Sequence, residues 1–593
     1  MINLKLFFKN FIKYLEIVFI PSLIIVLILI PALSIITTFI LNVSGISYIS
    51  YTNIIDIVFG HPVALAGLIA LFSIIIISAF LEFTFLLLSV YNIRLNSDMT
   101  VSKLLALTFD QIRKVSPGSF GFFILYFMLI VPFSGFGYTT PLLSKAIVPN
   151  FIIDYILEGK VTYIVLLLFG YILIFYLAIR LVLVLPILIL KGGSIKSAVS
   201  KSWNITRGKV LKIIMRFVTV VIISIIVGIL IYLCVYEIQV LFDNILSELA
   251  LYSAVVCLLL IQFTSIVITA YITVYFFEIL LDILINSKTI KGKSKYSFKG
   301  NKSENKKLNA RIILFRIMLF IGIICVLFFN LAYMQGLLTS KPMTISHRGV
   351  SQGNGVQNTL GSLNTIEEYK PDYVEMDIQE TKDHQFVVMH DNTLRKLADI
   401  DVDTSELTLK ELEDITIREN GYEEKIPSFN EYLKAAKSKN QKLLIEIKTN
   451  KYTSDEVAEL FIKRYKDEVL TNNHKIQSLD YSVVHQLKLK CPELEVGYIL
   501  PFNLIGMPRI NVDFFTVEYT TISDRFVNKA HKLGKKVFVW TVNSEEVINN
   551  MIFLNVDGII TDNMELLNRV IEDETNSPSY AGRLLNFMFE LNS

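Results

Sequence analysis

The pattern of apolar positions divides the chain in two. Up to about residue 334, apolar runs of about 20 residues or longer recur, the length a helix needs to cross a bilayer. They lie near 16–41, 62–92, 119–135, 161–190, 213–236, 251–285 and 311–334, and predict seven transmembrane helices within residues 1–334. After a short linker at 335–343 the pattern changes. Short β-rich runs at 344–348, 373–379, 442–448, 474–480, 494–500, 514–519, 536–542 and 557–562 read as strands, most of them separated by amphipathic stretches such as SFNEYLKAAKSKN and DRFVNKAHKLG. Eight such strands over 344–570 predict a closed parallel barrel, with 386–425 inserted after the second strand and 571–593 as a C-terminal tail. An open doubly wound sheet fits less well, because no glycine-rich dinucleotide loop follows the first strand. The expected fold is an all-α polytopic membrane domain followed by an α/β TIM barrel.

Charge adds an orientation. The net charge of +3 averages two unlike halves and says little about partners. Lys and Arg cluster at 5–13, 94–114, 191–212 and 287–311, whereas the alternate connections near 42–60, 136–160 and 237–250 carry few. By the positive-inside rule the N-terminus is cytoplasmic, and seven crossings put the C-terminal half outside a cell membrane. The amphipathic N-terminus lacks a cleavage-site pattern and reads as an anchor rather than a removed signal. The basic run 288–311 reads as a juxtamembrane linker attracted to anionic lipid rather than a nucleic-acid tail, so no nucleic acid is expected as a partner. Of four cysteines only Cys491 lies beyond the apolar spans, which leaves no disulfide pair in the barrel.

Several polar features interrupt the membrane half. Glu82 and Arg180 lie inside expected spans, where a charge either marks function or is resolved by snorkelling or pairing. Glu278 and Asp282, one turn apart, read as interfacial. The stretches 100–114 and 194–208 share a spacing of aromatic and arginine, Phe109/Arg113 and Trp203/Arg207, and each fits an amphipathic interfacial helix. The tail SPSYAGRLLNFMFELNS has closely spaced apolar residues that either dip into lipid or dock on protein.

The chemistry concentrates in residues 344–391. His347 and Arg348 end the first strand, Glu375 and Asp377 lie two apart on the second, and His390 follows the run 386–389. Glu446 and Lys448 repeat the two-residue spacing at the end of the third strand. Side chains two apart on a strand share a face, and barrel active sites lie at the C-terminal strand ends. The three carboxylates suit a hard cation, Ca²⁺ or Mg²⁺. The histidines suit proton transfer, and Arg348 and Lys448 suit the anionic oxygens of a substrate.

In order, HRG, NT, VEMDI, TKD, VVMHD, LRKLADIDVDTSELTLKEL, IPSFNEYL, LLIEIK, IQSLD, VWTVN and DGIITD resemble the glycerophosphodiester phosphodiesterase family across nearly all of 344–570. The resemblance implies hydrolysis of glycerophosphodiesters to glycerol phosphate and an alcohol. It implies one divalent cation on Glu375, Asp377 and Glu446, and acid/base roles for His347 and His390. It also implies a substrate wall at Trp540, beside substrate contacts from Arg348 and Lys448. The membrane half resembles a module sometimes joined to such enzymes. The chain departs from the family at Gln357-Asn358-Thr359, where Glu-Asn-Thr is common. His384 likewise stands in a turn where the family more often has glycine. The glutamine keeps open a catalytically weak membrane sensor or transporter that binds glycerophosphodiesters, and a third reading is a related barrel phospholipase acting on lipid.

Overall fold

The computed structural model describes residues 4–46, 49, 54–95, 101–112, 117–130, 142, 161–290, 305–336, 340–502, 507–575 and 579–590. Two compact units emerge, one of Met1–Ser44 with His61–Met334 and one of Gly45–Gly60 with Gln335–Ser593.

In the first unit, five helical stretches are long and apolar enough to cross a membrane: Phe11–Val43, Pro62–Arg94, Thr162–Lys191, Val210–Ile245 and Ser247–Asn286. Each overlaps an expected span, and the protein is a membrane protein. The other two expected spans coincide with helices Pro117–Ile130 and Asn305–Met334, the latter apolar over Phe320–Met334. The connection 136–160, apart from residue 142, and most of the basic run 288–311 lie outside the described residues. Large apolar side chains face outward along these helices, as at Ile225, Leu230 and Phe328, because lipid replaces the core that a soluble helix would need. Polar groups inside this unit pair with one another. Arg94 bonds Glu278 at 2.6 Å and Asp282 at 2.5 Å. Arg180 is buried with its guanidinium 4.2 Å from the ring centre of Trp203. Trp203 belongs to the amphipathic helix Ile195–Thr206, capped by Ser194.

The second unit is an eight-stranded parallel barrel. Its strands are β1 (Met343–Ser346), β2 (Tyr373–Glu380), β6 (Leu443–Ile447), β7 (Lys475–Ser478), β8 (Val496–Leu500), β9 (Phe514–Glu518), β10 (Lys536–Trp540) and β11 (Gly558–Thr561). Pairing of β1 with both β11 and β2 closes the ring. Between β2 and β6 the insertion adds β3 (Phe386–Val388), antiparallel to β2, and a hairpin of β4 (Thr416–Glu419) and β5 (Tyr422–Lys425).

Strand alternation fixes what each residue can do. Val374, Met376 and Ile378 of β2 point outward into a continuous core with Leu443, Ile445 and Ile447 and the surrounding helices. The other parity points inward, where Ile345, Leu444, Phe514, Phe538 and Ile560 fill the barrel. Gly497 of β8 is the inward neighbour of Phe514, and a Cβ there would collide with that ring. One step further along the same parity stand the polar residues of the rim.

The last barrel helix, Met564–Thr575, runs past residue 570, because its apolar face with Leu567, Val570 and Ile571 continues into the core. The tail helix Tyr580–Glu590 docks against helix Glu545–Phe553 and buries Ala581, Leu584, Phe587 and Met588, so those apolar side chains are covered by protein.

Candidate active site

All eight residues singled out from the sequence line one cavity of about 430 Å³ at the C-terminal rim: His347, Arg348, Glu375, Asp377, His390, Glu446, Lys448 and Trp540. Gln477, Leu479, Ile499, Thr516 and Ile560 complete the lining. His384, His474, His485 and His531 do not line it.

Glu375, Asp377 and Glu446 are buried, and one carboxylate oxygen from each lies within 4.8 Å of the others. Oxygens sharing a cation at 2.0–2.6 Å can be no more than about 5 Å apart, so the cluster has the right span for one hard ion. Its electrostatics point the same way. Burial, with Asp377 and Glu446 adjacent, pushes the Glu375 carboxyl well above the usual range, and burial also raises Glu446. For Asp377 burial is outweighed by His390, Lys448 and Arg348, which hold it below the usual range. Three carboxylates this close resist full ionisation alone and accept it readily around a divalent cation.

The sequence folds locally to hold this set still. Thr359 caps helix Leu360–Thr365 in a reciprocal box with Ser362, which frees Asn358 for the site. In the left-handed region at φ 59°, Asn358 donates its amide to Asp377 Oδ2 at 2.9 Å and accepts the Asp377 backbone N–H at 3.1 Å. Arg348 is also left-handed, at φ 54°, an uncommon state for a long side chain. It is held because its N–H donates to Glu375 Oε2 at 3.1 Å and its carbonyl accepts from Asn358 N–H at 2.9 Å.

The histidines are each oriented by a carboxylate. His347 Nδ1 lies 2.7 Å from Asp562 Oδ1, and its Nε2 faces Glu375 at 4.0 Å. Asp562 is in turn fixed by Asn543, which accepts its N–H and donates to Oδ2, both at 2.8 Å. Despite burial, the His347 contact holds the Asp562 carboxyl down at about 2. His390 Nδ1 lies 2.6 Å from Asp391 Oδ1, and Gln379 Nε2 donates to the carbonyls of Met389, His390 and Asp391 at 2.8–3.2 Å. Burial pushes His390 down to about 4. Near neutral pH it is a free base.

Two cations flank the carboxylates. Lys448 Nζ lies 3.3 Å from Glu446 and 3.5 Å from Asp377. Arg348 Nε lies 3.7 Å from Asp377 Oδ2 and, among the described residues, is buried without a hydrogen-bond partner. Asp562, Asp391, Asn358, Asn543 and Gln379 had no assigned site role in the sequence, although DGIITD, VVMHD and VWTVN contain three of them.

Comparison with known proteins gives the same family twice. Residues 2–343 match the membrane domain of glycerophosphoryl diester phosphodiesterase, and residues 347–499 and 501–566 match the glycerophosphoryl diester phosphodiesterase family. A glycerophosphodiester phosphodiesterase of Caldanaerobacter subterraneus is 29% identical over 235 residues, covering 38% of this chain and 96% of that protein. A human lysophospholipase D is 25% identical over 261 residues, covering 37% of this chain and 82% of its own. A crystal structure of a glycerophosphodiester phosphodiesterase from Parabacteroides distasonis shares 26% identity with a TM-score of 0.35, covering 40% of this chain and 99% of that one. The chain therefore belongs to the glycerophosphoryl diester phosphodiesterase family, as an enzyme whose barrel follows a membrane domain in the sequence.

Proposed function

We propose that the barrel hydrolyses glycerophosphodiesters to glycerol phosphate and an alcohol in a cation-dependent reaction at the outer membrane face. The observation that carries this reading is the convergence of three carboxylates, two carboxylate-held histidines and two cations on one cavity. Glu375, Asp377 and Glu446 would hold the ion, Ca²⁺ or Mg²⁺, which when bound would polarise the phosphoryl group and offset its charge. Arg348 and Lys448 bind the non-bridging oxygens, and their positive charge stabilises the negative charge that grows as the diester is attacked. His347 and His390 work from opposite roles: one takes the proton of the attacking hydroxyl or water, the other protonates the leaving alkoxide. Asp562 and Asp391 keep each ring in a single tautomer, with Nε2 left for the substrate. Trp540, with Leu479 and Ile499, forms an apolar wall suited to the carbon skeleton of glycerol.

The alternation of loop charge supports the outward orientation. A bilayer partner on that side favours diesters released at, or tethered to, the membrane surface.

The test is product analysis on full-length protein stripped with chelator and reloaded with Ca²⁺ or Mg²⁺. Glycerol phosphate is expected from a glycerophosphodiester, with loss of roughly 10²–10⁴-fold in rate for His347→Ala and for His390→Ala. Faster turnover of a lysophospholipid would instead assign the lipid-directed reaction. Full activity in either histidine variant would refute the acid/base assignment.

A further inference from the structure

The departure at Gln357 has a structural counterpart in the insertion. Arg348 NH1 donates to Gln357 Oε1 at 2.6 Å. The other end of the same amide, Nε2, donates to Glu419 Oε1 at 2.6 Å, and the Gln357 backbone N–H donates to Glu419 Oε2 at 3.0 Å. One carboxylate thus grips the glutamine at two points. Gln357 is buried at 5% exposure, while Glu419, at the end of β4, is half-buried. The adjoining turn residue Asn420 makes a second anchor, its amide donating to Gly355 O at 3.1 Å. The β4–β5 turn is Asn420-Gly421, both left-handed at φ 54° and 84°, the geometry that joins two strands with two residues. The hairpin is therefore built to press its tip on the loop that follows β1.

We infer that Glu419 is a positioning residue for the reaction, supplying through Gln357 the negative charge that orients the Arg348 guanidinium towards the substrate phosphate. Two physical effects act together. Because Nε2 is committed to a carboxylate, the amide cannot flip, and only its carbonyl can face Arg348; a flipped amide would set donor against donor. Hydrogen bonds to an ionised group are also stronger than neutral ones, and the amide is polarised in one direction from guanidinium to carboxylate. Gln357 is then no loss of function. The negative charge stands on the hairpin at Glu419, one residue further from the cation than Gln357. The insertion between β2 and β6 becomes part of the substrate-binding apparatus.

This inference rests on the reading that Arg348 holds the phosphate, and the experiment separates the two. Steady-state kinetics on a glycerophosphodiester with full-length protein would compare Glu419→Ala, Glu419→Gln, Gln357→Glu, the double variant Gln357→Glu/Glu419→Gln, and Arg348→Ala. Glu419→Ala is expected to raise KM and lower kcat/KM by about 10–100-fold, the scale of a misplaced binding group. Gln357→Glu alone, which sets two carboxylates against each other, should fall by a similar factor of about 10 or more. The double variant restores one carboxylate and one amide in exchanged order, and should recover to within about 3-fold of the native enzyme. A merely structural hairpin contact would lower the melting temperature of each variant along with its activity, whereas a positioning contact raises KM at an unchanged melting temperature, so thermal melts accompany the kinetics. Native KM and kcat/KM in both Glu419→Ala and Gln357→Glu, with Arg348→Ala inactive, would overturn the positioning role alone. Failure of the double variant to exceed both single variants would overturn it as well. Native activity in Arg348→Ala would overturn the phosphate-binding reading beneath it.

Discussion

His347 and His390, the proposed acid/base pair, are each oriented by a neighbouring carboxylate. His347 leans on Asp562, which reaches it across the seam where β1 meets β11, and His390 leans on the residue next in sequence, Asp391. Replacing Asp562 by Asn would offer an amide donor to Nδ1 and stabilise the wrong tautomer. We expect kcat to fall roughly 10²–10⁴-fold with little change in KM, a split that steady-state kinetics would read directly; a pure KM effect would contradict the role. His390 gives a pH test. As the base of the pair it would act in its neutral form, populated above its pKa, so a value pushed down to about 4 by burial would keep it competent well below pH 6. The acidic limb of kcat/KM assigned to His390, as the limb changed in His390→Gln, should lie below the ordinary histidine value of about 6.5. Much at this scale was legible from sequence, because a charged residue at the inward parity of a barrel strand has few bland explanations. Asp562 and Glu419 were not, since their roles exist only after β11 closes on β1 and the insertion folds back on the first loop.

At the scale of elements, the barrel depends on matched volumes and on polar groups committed to one state. Gly497 leaves room for the Phe514 ring on the neighbouring strand, so Gly497→Ala overpacks the interior. A loss of about 1–3 kcal/mol is expected, seen as earlier unfolding of the barrel. Below the barrel's other end, His474 accepts the Leu443 N–H on Nδ1 at 3.0 Å, which requires that nitrogen to be unprotonated. Burial pushes its pKa down to about 4, whereas in the unfolded chain it is about 6.5. Between those values the unfolded chain binds a proton that the folded barrel does not. His474 therefore leaves stability intact above about pH 6.5, and stability falls as pH drops towards 4, by on the order of 3 kcal/mol; His390 acts with the same sign. His474→Asn should flatten that slope in denaturant melts followed by Trp540 fluorescence in a Trp203→Phe background. An unchanged slope would rule His474 out as a source. All eight barrel strands could be placed from the sequence because apolar runs alternate with helical patterns along most of it, the insertion 386–425 being the main interruption. The helix Tyr580–Glu590 could not be assigned to lipid or protein, since its apolar stripe is the same for both, and only docking against Glu545–Phe553 distinguishes them.

At the scale of the molecule, the reaction and the membrane domain are linked through topology. In the proposed topology, argued from the alternation of Lys and Arg between successive connections, the helix Ile195–Thr206 is cytoplasmic and the barrel outside. An outward site meets divalent cations freely and diesters at the outer leaflet, whereas an inward site would compete for cytosolic metabolites. Lys196, exposed on that helix, and Lys410, exposed on the barrel, are suitable reporters because the side chains of both are solvent-facing in the structure. Cys234 and Cys325 are exposed on apolar helices and would be replaced by Ser, while Cys257 and Cys491 are buried. In that background a membrane-impermeant maleimide added to intact cells should label Lys410→Cys at once, and Lys196→Cys only after permeabilisation. The reverse pattern would place the barrel in the cytoplasm and remove outer-leaflet substrates from consideration, while leaving the chemistry of the rim intact. Labelling of both in intact cells would mean that the two reporters share the outer side, and would overturn the three crossings proposed between them. The charge pattern thus makes a claim about geography that is independent of the barrel's mechanism, and the two can fail separately.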